Sequence, residues 1–145
     1  MRRVPGPLDA AANGRIPRAA DEPAQNGALP EFETRTEGLA DSRYVVSVAG
    51  EIDHFTGPQL RAAVHGVLDD GAAALIVDLS ECGFMDSTGI CILVGVKERL
   101  KHSSKPVAVV ADHPSVLQVL RLTGVDAVLG VYPTRSAALN GDARD

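Results

Sequence analysis

The sequence contains few aromatic residues, and this scarcity limits the kind of core it can build. Aromatic side chains account for 3% of the 145 residues and tryptophan is absent, although apolar residues reach 45%. A chain of this length has room for one domain. We therefore expect a single hydrophobic core built from valine, leucine, isoleucine and alanine.

Long apolar runs and runs of positive charge are also missing. No apolar window approaches the roughly 20 residues of a transmembrane helix, and the twin arginine Arg2-Arg3 lacks the apolar segment that a secretory signal requires. We predict a cytoplasmic protein that does not bind a membrane. Lysine and arginine form no continuous run and the net charge is −5, which argues against nucleic acid as a direct partner.

Cysteine is scarce as well. The two cysteines, Cys82 and Cys91, do not have the spacing of a metal site. In an intracellular chain such thiols usually behave as small buried groups. The sequence therefore predicts no disulfide, no metal and no cofactor.

Proline separates the first part of the chain from the rest. Five prolines lie among alanine, glycine and charged residues in the first 30 positions, without apolar periodicity. Such a segment buries too little surface to offset the entropy of ordering. We predict a disordered N-terminal tail at 1–30, a domain at 31–140 and a C-terminal tail at 141–145.

Short apolar segments alternate with helical patterns after residue 30. Predicted strands cover 32–36, 44–49, 73–79, 107–111 and 128–132. Three amphipathic helices are predicted on the apolar faces Leu60, Ala63, Val64, Val67, Leu68; Ile90, Leu93, Val94, Val96, Leu100; and Val116, Leu117, Leu120, Leu122. Thr56 and Thr134 are predicted N-caps, the latter of a short last helix. This order predicts an α/β fold with crossover helices, a mostly parallel sheet and an antiparallel edge strand.

The most informative segment is the turn Asp86-Ser87-Thr88-Gly89. It follows a predicted buried strand and precedes a predicted helix, so Ser87 lies at a helix N-terminus, where unpaired N–H groups favour negative charge. Asp, Ser and Thr all cap helices, but one of them suffices. Gly89 weakens a first helical turn and indicates a close approach to the backbone. Ser87 is either a cap or a phosphate acceptor on these grounds.

A second acidic segment, Gly50-Glu51-Ile52-Asp53, also lies between a strand and a helix. In a parallel sheet the carboxyl ends of strands meet at one edge, where α/β proteins bind their partners. We expect this turn to lie beside the Ser87 turn. Read by itself, this segment is better explained as an acidic turn exposed to solvent than as a binding site.

The sequence around Ser87 does not match known catalytic motifs. The sequence has neither an aspartic-protease loop nor the second loop that would form the catalytic dyad. Ser87 occupies the position of the lysine in the aspartyl-phosphate motif of ion pumps. Met85 occupies the position of the first glycine in the nucleophile elbow of serine hydrolases. A receiver domain needs paired acids after its first strand and Lys-Pro after its last, whereas Lys105-Pro106 precedes the penultimate strand. We predict that the protein is not an enzyme.

The segments 50–53, 75–80 and 84–90, with Thr56 and Leu60, resemble the STAS domain, and more narrowly the bacterial anti-sigma-factor antagonists. The resemblance extends over about 31–140. It implies that the serine after the aspartate, here Ser87, is phosphorylated by an anti-sigma factor that is also a serine protein kinase.

The resemblance further implies that the unphosphorylated form binds the anti-sigma factor and releases the sigma factor, and that a serine phosphatase reverses the modification. The partner-binding residues implied are Gly50, Glu51, Asp53, Asp86, Ser87, Thr88 and Gly89. Thr88 offers a second hydroxyl. A STAS-type scaffold or nucleotide-sensing regulatory subunit that is not controlled by phosphorylation is the alternative.

Overall fold

The computed structural model describes residues 31–141, and a five-stranded sheet runs through this part of the chain. The predicted N-terminal tail at 1–30 lies outside the described residues, and so does the predicted C-terminal tail at 141–145 apart from Gly141. The strands are β1 (Glu33–Gly38), β2 (Arg43–Ile52), β3 (Ala74–Met85), β4 (Val107–Val110) and β5 (Gly130–Tyr132). A short 3-10 turn, Ala40–Ser42, joins the first two.

From β2 onward each strand is followed by a helix, and two helices lie between β4 and β5. The bounds of the helices are α1 (Gly57–Asp69), α2 (Ser87–Arg99), α3 (Pro114–Leu122), α4 (Val125–Val128) and α5 (Arg135–Asn140). Pro58 and Pro114 lie in the first turns of their helices, where the missing N–H has no intrahelical partner to lose. Thr134 caps α5 as predicted, because its hydroxyl accepts a hydrogen bond from the Ala137 amide at 3.0 Å.

The strands lie in the order β1-β2-β3-β4-β5. The first pair is antiparallel and the other three pairs are parallel. This confirms the predicted α/β fold, with an antiparallel strand at one edge and crossover helices between the parallel strands. The carboxyl ends of β2 to β5 consequently face the same edge of the sheet.

Aliphatic side chains fill both faces of the sheet, as the shortage of aromatics predicts. The main core joins one face to α1, α2, α3 and α4 through residues such as Val46, Leu60, Val77, Ile92 and Leu120. A smaller cluster on the other face joins Val45, Ile76 and Val110 to Ala138 and Leu139 of α5. The helix α5 therefore packs alone on the second face among the described helices.

The observed elements differ from the prediction mainly at strand ends. Strand β2 continues to Ile52 and β3 to Met85, beyond the predicted ends at 49 and 79, because the two strands keep pairing through register irregularities. The last strand is shorter than predicted, because 125–128 forms the helix α4.

The predicted apolar faces of two helices also need correction. Val94 and Leu122 are exposed, whereas Ile92 is buried. Of the two cysteines, Cys82 is buried as predicted but Cys91 is exposed on α2. An apolar residue at the margin of a helical stripe is buried only when another element covers that margin, and periodicity does not show this.

Candidate functional site

The two predicted site segments lie side by side at the carboxyl edge of the sheet. Strands β2 and β3 pair in register at their ends, with Glu51 opposite Phe84 and Ile52 opposite Met85. Directly beyond, the Asp86 amide donates a hydrogen bond to the Ile52 carbonyl at 3.1 Å. The structure therefore brings the segments 50–53 and 86–89 together, as parallel topology predicts.

Asp86 fixes the start of α2. Its carboxylate Oδ1 accepts a hydrogen bond from the Thr88 amide at 2.8 Å, so Asp86 is the N-cap. Ser87 is then the first helical residue, at the end of the helix where free N–H groups and the dipole favour an anion. Because Asp86 does the capping, Ser87 is not needed as the cap.

The two neighbouring hydroxyl residues differ in exposure. Ser87 is exposed, and its hydroxyl has no hydrogen-bond partner among residues 31–141. Thr88 is half-buried, and its methyl group lies against Gly57 so closely that a Cβ on Gly57 would overlap it. Of the two hydroxyl residues, Ser87 is the one presented to an approaching protein.

Gly89 is buried, and the chain itself explains why it is glycine. A Cβ at this position would overlap the Met85 side chain and lie 3.2 Å from Ile52 Cγ2. The close approach expected at this glycine is therefore made by the ends of β3 and β2 underneath the helix. A direct contact between Gly89 and a partner stays a prediction.

Asp53 organises the loop between β2 and α1. Its Oδ1 accepts hydrogen bonds from the Phe55 and Thr56 amides at 2.9 and 3.0 Å. The pKa of Asp53 lies below its ordinary value, chiefly because of the hydrogen bond from the Thr56 backbone. Asp53 therefore stays ionised at neutral pH and holds the loop in one conformation.

Thr56 occupies the N-cap position of α1, as predicted, but its side chain does not cap the helix. Its hydroxyl donates to the Glu51 carbonyl at 2.8 Å and accepts from the Asp53 amide at 2.9 Å. These bonds close the loop back onto the end of β2. The threonine thus serves the loop conformation, and the helix begins at Gly57 without a side-chain cap.

Gly50 and Glu51 belong to β2, not to a turn as predicted. Gly50 has φ +110°, a conformation that favours glycine, and a Cβ there would lie 3.1 Å from the Phe32 Cα. It accommodates the register irregularity between β2 and β3. Glu51 follows it and is exposed at the strand end.

Sequence reasoning missed two aromatic side chains at this edge. Phe55 is 78% exposed and Phe84 is 44% exposed, although the chain has three phenylalanines in all. Phe55 stacks on His54 with ring centroids 4.1 Å apart and lies two residues before the Gly57–Thr88 contact. The available signal was an aromatic residue two positions from each polar segment, Phe55 after Asp53 and Phe84 before Asp86. Exposed aromatics are typical of protein interfaces.

The described residues show no catalytic arrangement around Ser87. His65 Nδ1 lies 2.8 Å from Arg99, and His113 Nδ1 accepts from the Ser115 amide, so neither imidazole contacts Ser87. Across residues 31–141, no group of three His, Cys, Asp or Glu side chains is placed to hold a metal ion. Over the same range, no helix combines the length and apolar character required to cross a membrane.

Comparison with known sequences places this geometry in a family. The STAS domain model matches residues 31–138. The protein named anti-sigma-F factor antagonist RsfB, from Mycobacterium tuberculosis, is 35% identical over 112 residues, which cover 77% of this chain and 91% of that protein.

Solved structures give the same result. A crystal structure of an anti-sigma factor antagonist from Mycobacterium paratuberculosis is 38% identical, covers 79% of this chain and 96% of its own, and has a TM-score of 0.71. The Bacillus cell fate determinant SpoIIAA in its phosphorylated form shares the fold, with a TM-score of 0.59 at 21% identity and coverage of 74% of this chain and 98% of its own.

Proposed function

The chain belongs to the STAS domain family, and from this premise we propose that it is an anti-sigma-factor antagonist switched by phosphorylation of Ser87. In the unphosphorylated state it binds an anti-sigma factor and thereby releases the sigma factor. The observation that carries the proposal is the exposed Ser87 hydroxyl at the N-terminus of α2, already relieved of capping by Asp86.

The surface around Ser87 suits a protein partner. Phe84 near the end of β3 and Phe55 in the loop after β2 expose apolar area, and Glu51 adds an exposed carboxylate. We propose that the partner covers this surface, with Gly50, Glu51, Asp53, Asp86, Ser87, Thr88 and Gly89 at or directly beneath the contact. Asp53 and the glycines act by shaping the backbone there.

Phosphorylation at Ser87 leaves the fold intact in this account. A phosphoserine brings about −1.5 to −2 charges at neutral pH, and the N-terminus of a helix accommodates an anion through backbone N–H groups and the dipole. The phosphorylated form of SpoIIAA is a solved structure with this fold, which supports this expectation.

The same phosphate opposes binding of the partner. Asp86 is half-buried beside it and Glu51 lies at the neighbouring strand end, so a dianion adds to charge of the same sign. A partner surface complementary to a small neutral hydroxyl must then desolvate this charge. A hundredfold loss of affinity corresponds to about 2.7 kcal/mol, which one desolvated phosphate supplies.

The protein is the substrate of this regulation and has no catalytic role in our proposal. The anti-sigma factor acts as the serine kinase, and a serine phosphatase restores the binding form. Neither a nucleic acid nor a membrane takes a direct part.

Site mapping tests the proposal. We expect intact-mass spectrometry of the protein from its native host to show one phosphate, at Ser87, whose occupancy changes with stress. Ser87→Ala should abolish the modification. Thr88→Val, which keeps the methyl group beside Gly57, should retain it. An unmodified Ser87 under every condition would contradict the switch and favour a scaffold role for the domain.

A further inference from the structure

All three lysines of the chain line one small concavity. Lysine occurs at Lys97, Lys101 and Lys105 among 14 cationic residues, and all three border a depression of about 230 Å³. Its remaining lining is Ser103 and an apolar floor of Leu100, Pro106, Val107 and Leu129. The lysines recur at every fourth position and therefore form no continuous run in the sequence. The fold brings them together around one recess.

The concavity lies at the edge of the sheet opposite Ser87. It joins the C-terminal end of α2 to the start of β4, where Leu75 pairs with Val107. The 13-residue helix α2 separates the two places by about 20 Å. A ligand here therefore does not compete with a protein bound at the carboxyl edge.

These ammonium groups are largely unpaired. Lys101 forms an exposed ion pair with Glu98 at 3.2 Å, a kind of contact that contributes little. Within residues 31–141, neither Lys97 nor Lys105 forms an ion pair. A protein with a net charge of −5 thus holds a local excess of positive charge in a recess.

Capping of α2 does not account for the cluster. The Leu100 amide donates to the Val96 and Lys97 carbonyls, and the Lys101 amide donates to Glu98. The Leu100 carbonyl accepts from both the amide and the hydroxyl of Ser103. The carbonyls of residues 96–98 and 100 thus have backbone or hydroxyl donors and do not require the lysine side chains.

Lys105 lies beyond the helix, and the loop that carries it is ordered. The Ser103 hydroxyl donates to the Leu100 carbonyl at 3.0 Å and accepts from the Lys105 amide at 3.2 Å. This arrangement holds Lys105 on a loop, whereas Lys97 lies within α2 and Lys101 lies two residues beyond the end of that helix. A lysine held off the helix has no role in balancing the helix dipole.

We propose that this recess binds a small organic phosphate. Lysine ammonium groups bind phosphate as point charges with several donors, and three surround the recess. The apolar floor accommodates the organic part. The volume lies below the roughly 300–1,000 Å³ of sites for drug-sized ligands, which selects a phosphate monoester of small size over a larger anion.

Titration of the full chain with phenyl phosphate, followed by two-dimensional NMR at constant ionic strength, tests the proposal. We expect saturable shifts confined to residues 97–107 and Leu129, with a dissociation constant near or below about 1 mM. Inorganic phosphate should bind at the same residues but more weakly, since it cannot use the apolar floor. Shifts that grow linearly or spread over the arginines would overturn the proposal.

A matched pair of variants separates a built site from general charge attraction. Lys105→Gln should weaken binding of phenyl phosphate about tenfold or more, through loss of a charge-assisted hydrogen bond. Arg61→Gln removes one exposed charge from α1 outside the recess and should change affinity less than about twofold. Equal effects would reduce the observation to general electrostatics and refute the site. Unfolding midpoints confirm that both variants fold.

Discussion

At the scale of single residues, Phe55 is the side chain whose exposure most needs a partner. It is 78% exposed beside the Ser87 surface, and Leu122 on α3 is equally exposed at 78%. Central aromatic side chains dominate the energetics of many interfaces. We expect Phe55→Ala to weaken binding of the anti-sigma factor about tenfold or more, as measured by calorimetry.

Leu122→Ala is the matched control for Phe55→Ala. Leu122 lies at the C-terminal end of α3, toward the opposite edge of the sheet, and its truncation should leave affinity unchanged. Neither change should lower stability appreciably, because both side chains are already in water. Equal affinity of wild type and Phe55→Ala would remove Phe55 from the proposed interface.

At the scale of the element, the packing beneath α2 explains why its first turn contains glycine. A Cβ on Gly89 would overlap Met85, whereas a Cβ on Gly95 in the same helix meets nothing within 4 Å. Overpacking a core costs about 1–3 kcal/mol, and glycine to alanine in an open helical position gains up to about 1 kcal/mol. Urea unfolding should therefore show Gly89→Ala destabilised and Gly95→Ala stabilised. The opposite order would contradict this packing.

An ion pair between a buried carboxylate and a partly exposed arginine attaches the helix α5 to the sheet, beside the apolar contacts of the helix. Asp78 on β3 is 5% exposed, and its Oδ2 accepts from Arg135 Nε at 2.6 Å. Burial by itself would raise the pKa of Asp78, but the hydrogen bonds from Arg135 and from the Ser80 amide outweigh it and hold that pKa below its ordinary value. Arg135 also binds Glu37 of β1 at 2.9 Å, so it links three elements.

Removing this arginine should destabilise the protein in a pH-dependent way. We expect Arg135→Gln to lower the free energy of unfolding by about 2 kcal/mol or more at pH 7, since it leaves the Asp78 charge buried without a cation. A carboxylate whose pKa is lower in the folded state than in the unfolded state stabilises the fold at pH values above the unfolded-state pKa. This stabilisation is lost as the pH falls through the folded-state pKa. The deficit should therefore be full at pH 7 and shrink below about pH 4.

Arg35→Gln is the control for this effect. Arg35 pairs with Glu33 at 2.8 Å on exposed β1, and an ion pair in solvent contributes little to stability. Arg35→Gln should therefore lower the free energy of unfolding only slightly across the same pH range. A deficit for Arg135→Gln that does not change with pH would contradict the role assigned to Asp78.

The elements were predictable where local signals determine them. The capping residue in the turn 86–89 predicted the start of α2, and Thr134 predicted the start of α5. Both starts are visible in the sequence because a cap bonds to an amide no more than three residues away. The second half of β3 was not predicted, because the polar residues Ser80-Glu81 interrupt the apolar pattern of the strand. That half is a strand because it pairs with β2. The four-residue helix α4 is too short to show a helical period.

The candidate site was predictable to the same extent. The position of Ser87 at a helix start and the adjacency of both segments followed from the capping pattern and parallel topology, whereas the phosphate-acceptor role of Ser87 came from the family resemblance and stays a prediction. The difference between Ser87 and Thr88 depends on Gly57, a residue of another element. The lysine recess depends on how α2, β4 and Leu129 meet. Such features arise from tertiary packing, and periodicity in a single sequence does not contain them.

At the scale of the whole molecule, the described part of the chain contains two buried apolar clusters, one on each face of the sheet. The buried residues of both clusters lie between Val45 and Leu129, and the STAS match covers residues 31–138. We propose that 31–141 is the folding unit. A chain that begins at Glu31 should unfold at the same urea midpoint as the full chain and bind the anti-sigma factor with unchanged affinity. A lower midpoint would show that residues 1–30 contribute to stability.

The central claim is that a phosphate on Ser87 ends the interaction with the anti-sigma factor. The most direct test is the dissociation constant of the cognate anti-sigma factor for the protein carrying phosphoserine at position 87, compared with the unphosphorylated protein. We predict binding at least about 100-fold weaker, or about 2.7 kcal/mol, with an unchanged circular dichroism spectrum. Affinities equal within twofold, with complete phosphorylation verified by mass spectrometry, would contradict the account.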